Sequence, residues 1–367
     1  MKFSAKTLIA AALAASIIAP ASAQQVQKLS ATKANEYGLA YTLPTTVVDV
    51  TLEVELTTQL PGEFARYARK YLNASNPITE ENRSARLLSA TITTHGEADP
   101  EQRYVITLKS TQAPFILLTP DGRPLAINTE TIASVDKPQL PVSRPAEPTP
   151  LQTKAAHQVM TEEMIQSHST AKRAELAAQQ LYALRQTRTD LITGQADQMP
   201  PDGRAMELVT STLDAQEAAL VAMFLGTTSV STQVATVSFT PSADADNVSN
   251  IVIARISPTD GIVAADDLSG APVTLSMKTI SRGELPISEK GEPLPFPKGG
   301  IAYTIPGQAN ITVDYEGRKV ASARVDVAAL GTVYGMAPAN FTDKKSAIFA
   351  RFDPATGAIV ITGPKDQ

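Results

Sequence analysis

Histidine is the side chain most often used for acid–base chemistry and metal binding, and this sequence has three histidines. His157 and His168 lie eleven residues apart, so one helix through both would carry them on the same face. Their side chains would then be about 16 Å apart along the axis, too far to share a metal ion. His95 precedes Gly96, a pattern typical of an exposed hairpin tip. We therefore expect no histidine-based metal site.

Two serine–lysine pairs have the S-x-x-K spacing that allows a lysine to activate a serine one helical turn away. They are Ser169 with Lys172 and Ser30 with Lys33. The S-D-N and K-T-G motifs of β-lactamase-type sites and the G-x-S-x-G elbow of esterases are missing from the sequence. Because a pattern with two fixed positions is common by chance, we expect neither pair to be catalytic.

Acidic residues cluster in several predicted turns. Asp244, Asp246 and Asn247 bring oxygen atoms together as cation loops do, but the glycine and glutamate of an EF-hand are absent. Asp260 and the pair at 266–267 are similar, and the pattern favours solvated turns over a cation site. Paired carboxylates for polymer hydrolysis stay open, because their spacing is spatial. The absence of tryptophan argues against a stacking platform for sugars.

Composition excludes several classes of function. There is no cysteine, which excludes thiol catalysis, thiolate metal sites and disulfides. No phosphate-binding or dinucleotide-binding glycine motif occurs, so no cofactor is expected. The formal net charge is −5, and it becomes −7 without residues 1–23, which hold two lysines and no acid. An acidic chain is a poor general nucleic-acid binder, so we expect no nucleic-acid partner.

The first 23 residues have the pattern of a secretory signal peptide. Lys2 and Lys6 precede a short apolar run over 8–18, and Ala-Ser-Ala at 21–23 is a cleavage site. We predict cleavage near Ala23 and a location in the periplasm or on the outer cell surface. No later run reaches 18 apolar residues, so no transmembrane segment is expected in the mature chain.

The segments that follow alternate between strand and helix patterns. Residues 48–56 alternate strictly between apolar and polar, which predicts a strand with one buried face, and a short helix is predicted over 62–72. Residues 87–94 and 104–109 are predicted to pair as a hairpin around an acidic loop at 95–102.

Further strands and helices are predicted by the same periodicities. Leucine stripes over 176–192 and 208–224 predict two helices, separated by Gly194 and a Pro-Pro-Asp-Gly turn. Turn residues at 120–122, 316–317 and 353–357 predict hairpins. These are expectations from sequence periodicity and turn composition.

One short motif occurs twice. Residues 38–44 read Gly-Leu-Ala-Tyr-Thr-Leu-Pro, and residues 300–306 read Gly-Ile-Ala-Tyr-Thr-Ile-Pro. Two copies are too few for a solenoid. They indicate either two related β-domains or two strands with the same role at a sheet edge.

The fold class predicted from these patterns is α+β and β-rich. It comprises two antiparallel, sandwich-like β modules and a long αα-hairpin. The chain is predicted to begin with a signal peptide at 1–23 and an N-terminal β-rich domain with a short helix at 24–133. A proline-rich linker at 134–150, the helical hairpin at 151–228 and a C-terminal β-rich domain at 229–367 follow.

Several blocks of the sequence resemble a known family, domain of unknown function 4831, whose members are exported proteins of Gram-negative bacteria. The blocks carrying the resemblance lie at 37–73, 188–209, 300–331 and 352–360. The resemblance implies a cell-envelope protein, and it brings no catalytic, cofactor-binding or metal-binding residues with it.

These observations favour a non-enzymatic structural, assembly or binding protein of the cell envelope. The helical hairpin at 151–228 offers an amphipathic face that could dock a protein partner or a second copy. Two alternatives stay open. One is a hydrolase that uses aspartate and glutamate on an envelope polymer, which needs a pocket with two or more acidic groups. The other is a small-ligand carrier, which needs a sizeable apolar cavity.

Overall fold

The computed structural model describes residues 37–108, 114–130, 139–201, 203–244, 246–343 and 346–364. The predicted signal peptide at 1–23 and the Ser30–Lys33 pair lie outside the described residues, as do positions 134–138 of the proline-rich linker.

The described strands are β1 to β12 in chain order. They span Tyr37–Leu60, Asn82–Leu108, Ile116–Leu118, Pro124–Ile127, Thr227–Phe239, Asn247–Ser257, Gly261–Val263, Ala271–Ser281, Ile301–Tyr315, Arg318–Met336, Ile348–Phe352 and Ile359–Pro364. The α-helices α1 to α6 span Ala68–Leu72, Lys154–Gln158, Glu162–Gln166, Thr170–Thr193, Arg204–Leu225 and Ala339–Thr342. Short 3-10 helices span Ala65–Tyr67 and Pro150–Gln152.

The described strands form three antiparallel sheets, which confirms the predicted β-rich α+β class. One sheet has the order β2-β1-β5, the second β10-β9-β8-β6-β7, and the third β12-β11-β4-β3. The first two sheets pack face to face as a sandwich, because the buried residues of both join one apolar core. This core holds the structure without any disulfide, since the sequence has no cysteine.

The central strand β1 shows why the alternating pattern predicts a strand so well. Its residues Val48, Val50, Leu52 and Val54 are fully buried in the sandwich core, while the intervening residues lie on the other face of the sheet, where Thr51 is also buried. Burying one such side chain stabilises the fold by about 1.5–3 kcal/mol. β1 pairs with β2 along one edge and with β5 along the other, so its backbone is also covered.

The sheets and cores cross the division predicted from the sequence. β5, at 227–239, completes the sheet formed by β1 and β2, although about 170 residues separate its start from the end of β1. The helical core also takes Phe64 and Ala68 from the segment between β1 and β2 and packs them against Phe224 and Leu181. The ranges 24–133 and 229–367 are therefore not separate sheets.

The two long helices are confirmed, and they pack as an αα-hairpin. α4 ends at Gly194, which takes the left-handed conformation with φ 70° that a helix terminus of this kind requires. Only the half of the hairpin nearest the sheets lies in the helical core: Ala174, Ala177 and Leu181 of α4 are buried there with Leu220 of α5. The other half extends beyond that core.

The hairpin predicted around residues 95–102 is wrong. β2 is one continuous strand that pairs with β1 over almost its whole length. Thr42 pairs with Arg103 and Pro44 with Ala98, so four residues of β2, at 99–102, lie opposite Leu43 alone. The Asp-Pro pair at 99–100 therefore marks an excursion on an edge strand, where the missing N–H of proline costs no ladder hydrogen bond.

The turns predicted from composition are confirmed. Glu316 and Gly317 join β9 to β10 with φ values of 50° and 73°, as a two-residue hairpin turn with positive φ requires. Residues 119–123 join β3 to β4, and residues 353–358 join β11 to β12. The third sheet and the N-terminal ends of β1 and β9 together enclose a third apolar core around Leu43, Ile127 and Phe352.

The two copies of the repeated motif meet in this third core. Ala302 of the second copy donates its N–H to the Tyr41 hydroxyl over 2.6 Å, and the same hydroxyl lies 3.0 Å from the Ala302 carbonyl. Thr42 donates its backbone N–H to Gly122, and the equivalent Thr304 donates its own to Gly357. Both glycines lie in turns between strands of the third sheet.

The resemblance between the copies extends to their pairing partners. Ile305 pairs with Thr332 and Gly307 with Val327, so four residues of β10, at 328–331, lie opposite Pro306 alone. β2 makes the same four-residue excursion opposite Leu43. Each motif thus contacts a turn through its threonine and faces an excursion on its partner strand, which gives the two copies the same local structural role.

Candidate functional site

His95 lies in a polar cluster on the outer face of the β2-β1-β5 sheet. Its Nδ1 is 2.5 Å from Asp49 Oδ2, and its Nε2 is 3.5 Å from Glu97 Oε1. The Ser238 hydroxyl donates a 2.6 Å hydrogen bond to Asp49 Oδ1. His95 therefore lies within a strand and not at the predicted hairpin tip. No local sequence signal indicates the cluster, because Asp49 and Ser238 are distant in the chain and only the sheet brings them together.

The order of these groups does not suit nucleophilic catalysis. In a serine triad the histidine lies between the serine and the carboxylate, whereas here the Asp49 carboxylate lies between Ser238 and His95. The two ring nitrogens also face different carboxylates, so these groups do not converge on one ion. The parts of the chain that the structure describes contain no group of three or more side chains placed to hold a metal. The cluster links three strands. Because its side chains are partly exposed, an ion pair such as His95–Asp49 stabilises the fold by about 0–1 kcal/mol.

The other two histidines do not share a helix. His157 lies in α2, whereas His168 lies in the connection between α3 and α4, so their predicted placement on one helix face is wrong. The helical spacing is broken because Ser167 and Ser169 adopt extended conformations there. Both histidine side chains are exposed.

The S-x-x-K pair at Ser169 and Lys172 has a structural explanation. Ser169 is the N-cap of α4, and its hydroxyl accepts a hydrogen bond from the backbone N–H of Lys172. The Lys172 side chain points to Glu175, 3.2 Å away, and not to the serine. The spacing is therefore that of a helix cap, in which serine satisfies a free N–H of the first turn.

The acidic turns have internal partners as well. Asp246 Oδ1 forms an ion pair of 2.6 Å with Arg282. Asp260 accepts hydrogen bonds from Ser257 and Thr259, as short polar residues do in tight turns. Asp267 accepts a hydrogen bond from the backbone N–H of Ser269, and this hydrogen bond lowers the pKa of the Asp267 carboxyl. Asp267 thus fixes the backbone of its own turn, whereas Asp246 and Asp260 are paired with side chains.

A cleft of about 400 Å³ lies where the edge strands of the two sandwich sheets face each other. Residues 85–90 of β2 form one wall, and Tyr315, Glu316, Arg318 and Val320 form the other. The wall residues are a mixture of apolar and charged side chains. Glu316 is the one carboxylate on these walls, whereas hydrolysis of a glycosidic bond uses two. This cleft therefore gives the hydrolase alternative no support.

The distal half of the helical hairpin is largely uncovered. Ile192 of α4 is 75% exposed and Leu208 of α5 is 67% exposed. α5 is the one described helix that is long and apolar enough to cross a membrane, a criterion that core helices of soluble folds also meet. Its last turns are packed in the helical core, while the residues before Ala219 are not.

The architecture defines the chain as a β-rich α+β protein built on an antiparallel sandwich with an extended helical arm. It belongs to the family described as domain of unknown function (DUF4831), whose profile matches residues 37–360. The match begins at the first residue of β1 and ends within β12, so it covers the sandwich and the arm together. Searches of curated proteins and of solved structures gave no match.

Proposed function

We propose that the chain is an exported cell-envelope protein that acts as a structural, assembly or binding component, with its helical hairpin as the docking arm for a protein partner. The observation that carries the proposal is the uncovered apolar character of α5. Leu208 is 67% exposed on a helix whose composition is that of a core helix. This large apolar side chain left in water is the feature from which we infer a surface that a partner covers.

The geometry of the arm selects the face that a partner would contact. Arg185 bonds Glu217 and Arg188 bonds Asp214, each over 2.8 Å, so ion pairs between α4 and α5 tie the two helices together along one side. The outward face of α5 is free of such pairs. Its exposed members recur at the spacing of one helix face and are Arg204, Leu208, Ser211, Ala215 and Ala218.

Small side chains on that face suit close packing of another helix. Ala215 and Ala218 add little bulk beside the Leu208 side chain, so a partner's residues can enter the groove next to it, as in ridges-into-grooves packing. An amphipathic helix is the kind of partner that binds such a face. The face carries Arg204 at its start, while Asp214 is engaged with Arg188.

Export is tested by the N-terminus of the mature protein. The basic start, the short apolar run and the Ala-Ser-Ala site support cleavage after Ala23. Intact mass and N-terminal sequencing of protein from the envelope fraction should therefore give a chain beginning at Gln24. A chain that retains Met1 and sediments with cytoplasmic markers contradicts the proposed location.

The docking arm is tested with single cysteines, because the chain has none of its own. A benzophenone attached to Ala215→Cys should cross-link a discrete partner in envelope extracts. The matched control is Ser322→Cys on an exposed position of β10, which should give no adduct. Adding Leu208→Asp should abolish the adduct and leave the thermal unfolding midpoint unchanged.

Two outcomes would contradict the arm as a docking site. One is equal labelling from positions 215 and 322, and the other is an adduct that persists with Leu208→Asp. Deletion of the whole hairpin is a poor test, because the helical core also buries Phe64 and Ala68 from the segment after β1. Removing 151–228 exposes these side chains and destabilises the sandwich end independently of any partner.

A further inference from the structure

The sheet edges of the sandwich are not equally protected. The outer edge of β5 is covered by the proline-rich segment, where Arg144 pairs with Thr232 through two 2.8 Å backbone hydrogen bonds. β7 is only three residues long, and Ile262 donates its N–H to the Gln233 side chain of β5. One side of the sandwich is thereby closed. On the opposite side, β2 and β10 are both edge strands.

β2 contains an edge segment without the usual protection. Residues 89–98 pair regularly with β1 on one side, and none of the described backbone groups outside β1 is hydrogen-bonded to them on the other. Natural edge strands are guarded by lysine, proline or bulges. This segment reads Ser-Ala-Thr-Ile-Thr-Thr-His-Gly-Glu-Ala and contains none of these. Ten residues of strand span about 33 Å.

Irregularities in the pairing with β1 bound the segment at both ends. Leu88 is a bulge, since Ser89 pairs with Glu53 and Leu87 pairs with Val54. The excursion at 99–102, which contains Pro100, ends the regular ladder on the other side. An added strand can therefore pair over the ten-residue segment but not continue beyond it.

The charges on β2 are opposite at its two ends. Arg83 and Arg86 precede the open segment, and both side chains are exposed. Glu97, Asp99 and Glu101 lie at its far end. Arg86 and Glu97 lie on the same outer face of the sheet, because Arg86 bonds Glu55 and Glu97 bonds His95, which in turn contacts Asp49.

We propose that the open edge of β2 binds the β2 edge of a second copy in antiparallel orientation. That orientation places the Arg83–Arg86 end of one copy beside the Glu97–Glu101 end of the other, and the two-fold symmetry makes this contact twice. The product is a continuous six-stranded sheet in the order β5-β1-β2-β2-β1-β5. The pairing consumes both open edges and is closed, so it forms a dimer and not a fibre.

Charge reversal distinguishes this pairing from other surfaces. Sedimentation of the purified chain beginning at Gln24, from about 1 to about 100 μM, should show a reversible dimer. Arg86→Glu and Glu97→Lys should each raise the dimer Kd about ten-fold or more, because each places like charges together at two symmetric contacts. An equimolar mixture of the two variants should dimerise again, since each variant then supplies the charge that the other needs.

The mixture experiment separates a docking defect from a folding defect. A misfolded single variant cannot be rescued by mixing, and far-UV circular dichroism checks that both variants keep the wild-type spectrum. A chain that stays monomeric throughout, or a dimer insensitive to both reversals, overturns the proposal. The arm proposed above is not involved, so Leu208→Asp should leave the dimer Kd unchanged.

An introduced thiol tests the orientation. Thr93 lies near the middle of the open segment, so Thr93→Cys in the two copies should be close to the dyad and form an intermolecular disulfide on oxidation. Thr236→Cys, on β5 of the same sheet face, is the control and should stay reduced. Equal disulfide formation at both positions contradicts pairing through β2.

Discussion

Tyr41→Phe removes one oxygen atom from the junction between the two copies of the repeated motif. The Tyr41 side chain is buried, and its hydroxyl satisfies both the N–H and the carbonyl of Ala302, a residue that is itself 1% exposed. The substitution leaves those two backbone groups without a partner in an apolar core. Because each buried unpaired backbone group costs about 1–3 kcal/mol, we expect a loss of about 2–6 kcal/mol in the free energy of unfolding.

The internal repeat supplies the control for this prediction. Tyr303 occupies the same position in the second copy, but it is only partly buried and packs against Tyr334 at 6.2 Å between ring centres. Tyr303→Phe should change the free energy of unfolding by no more than about 0.5 kcal/mol. Urea unfolding measures both variants. Equal midpoints for Tyr41→Phe and the wild type, or equal losses for the two variants, would refute the reasoning.

The same hydroxyl predicts a pH dependence. Burial raises the pKa of the Tyr41 phenol well above its ordinary value of 10, so the folded state keeps the proton that the unfolded chain releases. This contribution to stability is fully present below pH 10 and is lost as pH rises from there towards the folded-state pKa. The stability difference between wild type and Tyr41→Phe should therefore shrink above pH 10 in urea titrations at successive pH values.

Five further substitutions, two of them controls, test other parts of the fold. Leu52→Ala should cost about 2–5 kcal/mol in urea unfolding, because Leu52 is fully buried in the sandwich core, whereas Leu208→Ala should stay within about 0.5 kcal/mol. Ser169→Ala should lower the free energy of unfolding by about 1 kcal/mol, because α4 loses its N-cap, and Lys172→Ala should lower it far less. This difference is expected of a helix cap and not of a catalytic pair. Gly96→Ala should destabilise the fold by about 1–3 kcal/mol and lower the thermal midpoint, because an added Cβ would clash with the Pro354 carbonyl oxygen. A midpoint equal to wild type would contradict the close approach.

Local patterns in the sequence were sufficient for much of the fold. The alternation over 48–56 identifies β1 and its buried face, and the turn at 316–317 identifies the β9–β10 hairpin. In both cases the signal lies within a few neighbouring residues, because side-chain periodicity and turn conformation are local properties of the chain. Gly194 ends α4 for the same reason.

Features that depend on distant pairing could not be predicted in this way. The acidic stretch at 95–102 predicts a loop between two strands, and only the pairing of β2 with β1 shows that the strand is continuous. The His95 cluster joins three strands, so no local signal could indicate it. The repeated motif did indicate a shared role, but the contact between Tyr41 and Ala302 follows from the packing of two strands 261 residues apart.

The position of β1 has a consequence for how the chain acquires its structure. β1 is the first of the described strands, yet its second partner β5 follows only after the helical hairpin, and its motif contacts residues much later in the chain. Contacts of such long range raise the contact order and slow folding. β1 can pair with β2 as soon as both strands are made, but its other edge stays open until β5 is available, and the contact of Tyr41 waits for β9.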